Sequence, residues 1–123
     1  MSHIVSIRTQ VRDVGALQAA CRRLSLKAPV DGTAKLYAAS ASGQVVELPG
    51  WHYPVVFDLS SGQAHYDTFN GAWGDEALLG RLLQAYAAEK ARIEARRTGM
   101  TVTEQTLPDG SLRLTLQETG GAA

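Results

Sequence analysis

The sequence predicts an α+β domain of two layers, a mainly antiparallel sheet with two helices on one face, in the order β-α-β-β-β-β-α-β-β. Three observations lead there. Most short apolar segments alternate apolar with polar residues, the period of a half-buried strand. Two longer segments place their apolar residues three and four apart, the spacing of a helix with one buried stripe. Clusters of Pro, Gly, Asp and Ser punctuate the chain between them. Clean alternation belongs to a sheet with one face on a core, and two amphipathic helices laid on that face would bury both stripes.

The elements follow in order. In residues 3–11, His3, Val5, Ile7, Thr9 and Val11 fall on one side and Ile4, Ser6, Arg8 and Gln10 on the other, which predicts a strand. Asp13 stands as an N-cap to a helix whose stripe is Val14, Leu17, Cys21 and Leu24, and Pro29 requires the helix to end before it. Residues 27–33 read as a loop, followed by strands at 34–39 and 44–48 joined by the turn-like Ser40-Ala41-Ser42-Gly43. Tyr53, Val55, Phe57 and Leu59 alternate as a strand, Ser60-Ser61-Gly62 turns it, and 63–69 returns. Pro54 cannot donate to a ladder, so that end belongs at a sheet edge or a bulge.

Asp75 and Glu76 open a long helix with Leu79, Leu82, Leu83, Tyr86 and Ile93 as its stripe and Gly99 as its stop. Acidic residues at its start and Arg92, Arg96 and Arg97 near its end complement the helix dipole. Two strands at 100–107 and 111–117 enclose Pro108-Asp109-Gly110 as a final hairpin. At 123 residues the chain has the size of one domain, placed at 1–118, with 119–123 expected as a flexible tail. Apolar runs of a few residues fall far short of the roughly 18 that cross a bilayer, and Met1-Ser2-His3-Ile4 does not begin a leader. A soluble, cytoplasmic protein is expected.

Charge is balanced in total and uneven in place. Twelve Lys and Arg meet twelve Asp and Glu, which argues against non-specific binding of nucleic acid or membrane. Residues 1–35 hold six basic residues against Asp13 and Asp31. From Leu36 to Gly80 there is no Lys or Arg, while Glu47, Asp58, Asp67, Asp75 and Glu76 are acidic. Seven of the eight Phe, Trp and Tyr residues lie between Tyr37 and Trp73. Phe57 and Tyr66 alternate with the strand core, whereas Trp51 and Trp73 sit in loops beside glycines. A loop Trp either folds back to plug the sheet or anchors an interface, where Trp is enriched.

Chemistry-bearing motifs are sparse. His52 and His65 flank one predicted hairpin and, with Asp67, form the one conceivable site for the alternative reading, a small-molecule or metal-dependent enzyme, although no zinc-ligand spacing is present. Cys21 lies in a helix stripe, where a thiol behaves as a small hydrophobe. No nucleophile elbow and no phosphate-binding glycine loop occurs in the sequence, and no cofactor is expected. Arg8, Arg12, Arg22 and Arg23 could line a basic face for RNA, a weaker alternative given the neutral total.

Both ends of the chain carry a resemblance. Residues 1–13 (Met-Ser-His-Ile-Val-Ser-Ile-Arg-Thr-Gln-Val-Arg-Asp) and Ala16-Leu17-Gln18 closely resemble the opening of the family called hypothetical chloroplast reading frame 35, or domain of unknown function 1257. Leu83-Gln84-Ala85-Tyr86-Ala87, Val102-Thr103-Glu104-Gln105 and the run from Asp109 to Gln117 are similar to its C-terminal third, and residues 28–74 are the divergent part. Members of that bacterial and plastid family have no established enzymatic activity, and their genes lie near those of AAA-type ATPases. The resemblance therefore implies an accessory or adaptor role with a protein partner such as an AAA-type ATPase. It maps the family's opening motif to Ser2, His3, Arg8 and Thr9 as a recognition patch. The partner-binding candidates are thus Trp51, Trp73, His3, Arg8 and Thr9, and self-association is left open.

Overall fold

Antiparallel pairing organises the computed structural model, which describes residues 4–69 and 71–118. The elements are β1 (Ile4–Arg8), α1 (Val14–Arg23), β2 (Val30–Lys35), β3 (Ser40–Val46), β4 (Val55–Asp58), β5 (Gln63–Asp67), α2 (Glu76–Arg97), β6 (Met100–Thr106) and β7 (Leu112–Glu118). This is the α+β class and the element order that the periodicities predict. The strands divide into a five-stranded sheet, ordered β1-β5-β4-β3-β2, and a separate β6-β7 ladder. His3 and the expected tail at 119–123 lie outside the described residues.

Strand alternation puts Val5, Ile7, Ala64, Tyr66, Val55, Phe57 and Val46 on one face of the large sheet. Leu17, Ala20 and Cys21 of α1 and Leu79, Leu82, Ala85 and Tyr86 of α2 close over it. Full burial of a side chain such as Phe57, Leu17 or Leu82 contributes about 2 to 3 kcal/mol through the area removed from water. Burial also pushes the Cys21 thiol upward in pKa, so it stays protonated and serves as packing.

Polar ties join the helices. Asp13 caps α1 by accepting from the Gly15 and Ala16 amides at 2.8 and 3.3 Å, and its other oxygen accepts from Lys90 of α2 at 2.9 Å. The Tyr86 hydroxyl accepts from the Arg12 and Asp13 amides. Asp75 caps α2 by accepting from the Ala77 amide. No helix of the described residues is long and apolar enough to cross a membrane.

One turn falls elsewhere than its composition predicts. Residues 30–35, read as loop and strand start, are all β2, and Ser40-Ala41-Ser42-Gly43 lies within β3 rather than forming the turn. The reversal occurs at residues 36–39, where the Leu36 amide donates to the Ala39 carbonyl at 2.7 Å. Gly43 is required for another reason: a Cβ there would collide with the Phe57 carbonyl of β4. It pairs with Gly32 across the β2–β3 ladder. Leu36 is buried outside the principal core, beside a small groove it lines with Ile4 and His65. Pro54 precedes β4, which lies inside the sheet, and its missing donor costs no ladder bond because pairing begins at Val55.

Candidate partner-binding site

Three connections converge beside the sheet: the 36–39 turn, the 47–54 loop and the 68–75 loop. A backbone bond joins the last two, the His52 amide donating to the Trp73 carbonyl at 2.7 Å, and within the 68–75 loop the Trp73 amide donates to the Thr68 carbonyl at 2.8 Å. Their aromatic side chains gather around Trp73. Phe69 and His52 stack against it at centroid distances of 4.8 and 5.4 Å, and Tyr37 and Tyr53 meet it tilted or edge-on at 5.3 and 5.7 Å. His52 also meets Tyr53 edge-on at 4.8 Å. All these separations fall in the range where ring quadrupoles favour offset or tilted pairs, each worth about 0.5 to 1.5 kcal/mol beyond area burial. The cluster is nonetheless open to solvent: Tyr37 is 55% and Phe69 41% exposed. Large apolar groups kept together at a surface mark an interaction site more often than singly scattered ones do.

Backbone geometry marks the same place. Phe69 has φ of +46°, the left-handed region, which costs a residue with a bulky side chain about 1 to 2 kcal/mol. Asp67 holds it there, its Oδ1 accepting from the Phe69 amide at 3.2 Å. Asp67 is fully buried, and its Oδ2 has no hydrogen-bond partner among the described residues. A buried carboxyl oxygen in that condition is costly. Thr68 donates to Glu76 at 3.1 Å, placing a second carboxylate at the base of the loop. Burial, aided by the charge of Glu76, raises the pKa of the nearby Tyr66 hydroxyl.

The two loop tryptophans differ. Trp51 turns inward onto Tyr66 at 5.7 Å, its Nε1 donates to the Asp75 carbonyl at 3.1 Å, and Gly74 leaves room for its ring, since a Cβ there would lie 2.7 Å from the indole. Its outer side forms, with His52 and Tyr53, part of a groove of about 370 Å³ that continues the aromatic cluster. Lys27 and Glu47, paired at 3.0 Å, stand on the groove wall.

The remaining sequence candidates are placed as follows. His52 belongs to the aromatic cluster, whereas His65 lies on the sheet, its Nδ1 hydrogen-bonded to Ser6 Oγ at 2.7 Å. Together with Asp67 they make no group able to hold a metal ion, and no such group of three His, Cys, Asp or Glu occurs among the described residues. Thr9 is buried, its amide and hydroxyl both donating to the Gly62 carbonyl, which ends β1 against the β4–β5 turn. Arg8 is exposed at a second, more apolar groove of about 530 Å³ between residues 8–11 and α2. Arg12 donates to the Ser60 and Ser61 carbonyls, and Arg23 binds Glu104 through two nitrogens at 2.6 and 2.9 Å. Two of the four arginines of the RNA alternative are thus engaged within the fold, while Arg22 is exposed.

Tyr37, Tyr53 and Phe69 were not among the sequence candidates. Their signal was the crowding of aromatics into 37–73, which names a region and not its members. Comparison of the chain with protein-family models, curated proteins and solved structures finds no match in any of the three.

Proposed function

We propose that this chain is a binding or adaptor protein that docks a protein partner through the aromatic cluster centred on Trp73. The observation that carries this reading is the group of Tyr37, His52 and Phe69 packed around Trp73, exposed at Tyr37 and Phe69 and held on a backbone that is strained at Phe69. Strain and exposed aromatic surface both work against stability in the isolated chain, and a binding role supplies the reason to keep them. The adjoining groove gives a partner side chain a place to enter. The resemblance of both chain ends to the reading frame 35 family supports an AAA-type ATPase as the partner.

The test is affinity capture from the native host with the tagged protein and with a Tyr37→Ser, Phe69→Ser double variant. Both positions are exposed, so the variant keeps its fold, as circular dichroism would verify. The proposal expects an AAA-type ATPase enriched by the wild type and recovered about tenfold less by the variant, a modest loss for interface anchors. Equal recovery by both would remove the cluster as the site, and no protein enriched over the tag alone would remove the adaptor reading.

A further inference from the structure

We infer that the open edge of β2 pairs with β2 of a second copy of this chain, joining two large sheets into one continuous antiparallel sheet. The inference is independent of the aromatic cluster and adds a second surface, with the chain itself as the partner. β2 is the last strand in the order β1-β5-β4-β3-β2, so β3 occupies one of its edges and leaves the other open. Every residue of β2 except Ala34 is exposed. Its register with β3 runs unbroken from Val30 to Lys35, with no bulge and no proline to guard the edge.

The ladder decides which backbone groups that edge offers. The Leu36 amide bonds to the Ala39 carbonyl, and hydrogen-bonded pairs recur at every second residue of an antiparallel ladder. Leu36, Ala34, Gly32 and Val30 therefore turn their amides and carbonyls toward β3, while Asp31, Thr33 and Lys35 turn theirs outward. The Thr33 and Ser42 hydroxyls meet at 2.7 Å, as the closer, non-hydrogen-bonded pairs of a ladder allow. Among the described residues, no hydrogen bond reaches the outward amides and carbonyls, and neither the Asp31 carboxylate nor the Lys35 ammonium has an ion-pair partner.

One antiparallel register uses all of these groups at once. With Thr33 opposite its own copy, Asp31 faces the partner's Lys35 and Lys35 faces the partner's Asp31. Each outward residue then exchanges backbone bonds with an outward residue, and opposite charges stand directly across from each other at both ends. Registers centred on Asp31 or Lys35 would set like charges opposite each other, and those centred on Gly32 or Ala34 would leave both charges unmatched. Charge complementarity thus selects both the occupant, a second β2, and its alignment. On the other face of the strand, Val30, 64% exposed, comes to lie across from the partner's Leu36 and loses part of that exposure. A contact of this self-complementary kind closes as a twofold dimer.

The experiment is sedimentation velocity on the full chain from about 5 to 500 µM, where a reversible equilibrium of monomer and dimer is expected, because a strand of 6 residues falls short of the roughly 20 to 30 residues a side of a standard interface. Asp31→Lys and Lys35→Asp each set like charges opposite at both ends and should weaken the dimer about tenfold. Combining Asp31→Lys with Lys35→Asp restores both pairs with their signs exchanged and should bring association back to within about threefold of the wild type. Thr33→Pro removes an outward donor and no bond to β3, so it should give a folded monomer, as circular dichroism would verify. Raising salt from about 0.05 to 0.5 M should weaken the wild-type dimer severalfold. A wild type that stays monomeric at every concentration would overturn the inference. A dimer that survives Thr33→Pro would place the contact elsewhere, and a loss on single reversal that the combined variant does not recover would remove the register; either result also overturns it.

Discussion

Phe69 concentrates the cost of the site in one residue. Its backbone sits at φ +46° because the Asp67 carboxylate holds its amide and its ring stacks on Trp73. Asn tolerates that conformation, so Phe69→Asn should recover about 1 to 2 kcal/mol of strain and give up about 0.5 to 1.5 kcal/mol of ring contact. Chemical denaturation should therefore show a stability unchanged or slightly raised, while partner capture falls. A loss above about 2 kcal/mol would mean that Phe69 serves the fold and not a partner. Residue roles of this kind were partly visible beforehand. Phe57, Tyr66 and Cys21 were placed in the core by periodicity alone, and they are there. Nothing periodic governs how loop side chains meet, so the convergence of Tyr37, His52, Tyr53 and Phe69 on Trp73 had no sequence signature beyond their crowding. Thr9, a recognition candidate by resemblance, and Arg12, a candidate for a basic face, both bond the β4–β5 turn because the strand ends at Arg8.

Among the elements, the β6–β7 ribbon depends most on its attachments. A two-stranded hairpin is marginal in water by itself. Glu104 fastens it by receiving Arg23 of α1 through two nitrogens and Arg92 of α2 at 3.4 Å, and Gln84 donates to the Gly110 carbonyl of its turn. The hydrogen bond from Arg23 holds the Glu104 carboxyl below its ordinary pKa, and the Lys90 hydrogen bond does the same for Asp13. Depressed carboxylates contribute stability that is fully present above their unfolded values and is lost as pH falls through the folded ones. Acidification from about pH 5 to pH 3 should therefore destabilise the protein, and Glu104→Gln should flatten part of that dependence. At neutral pH the same substitution should cost about 1 kcal/mol, and hydrogen exchange should quicken in β6 and β7 before it does in the large sheet. Uniform quickening across both sheets would show that the ribbon does not open separately. Element order and type were legible from spacing throughout. The β2–β3 turn was not, because Gly43 signals a turn by composition while serving a close approach to Phe57, and the true turn at 36–39 contains neither Gly nor Pro.

At the scale of the whole molecule, the neutral total conceals a division of labour. Half of the six basic residues in 1–35 are engaged by the chain itself: Arg12 ties a turn, Arg23 ties the ribbon, and Lys27 matches Glu47 at the surface. The aromatic and acidic stretch from Leu36 to Gly80 supplies both the middle of the sheet and the open cluster beside it. The most direct test of that assignment is photo-crosslinking in the native host, with a photo-reactive amino acid placed at Tyr37 in one protein and at Arg113, exposed on β7, in another. The account predicts a discrete protein adduct from position 37 and none from position 113. An adduct from position 113 with none from position 37 would contradict it.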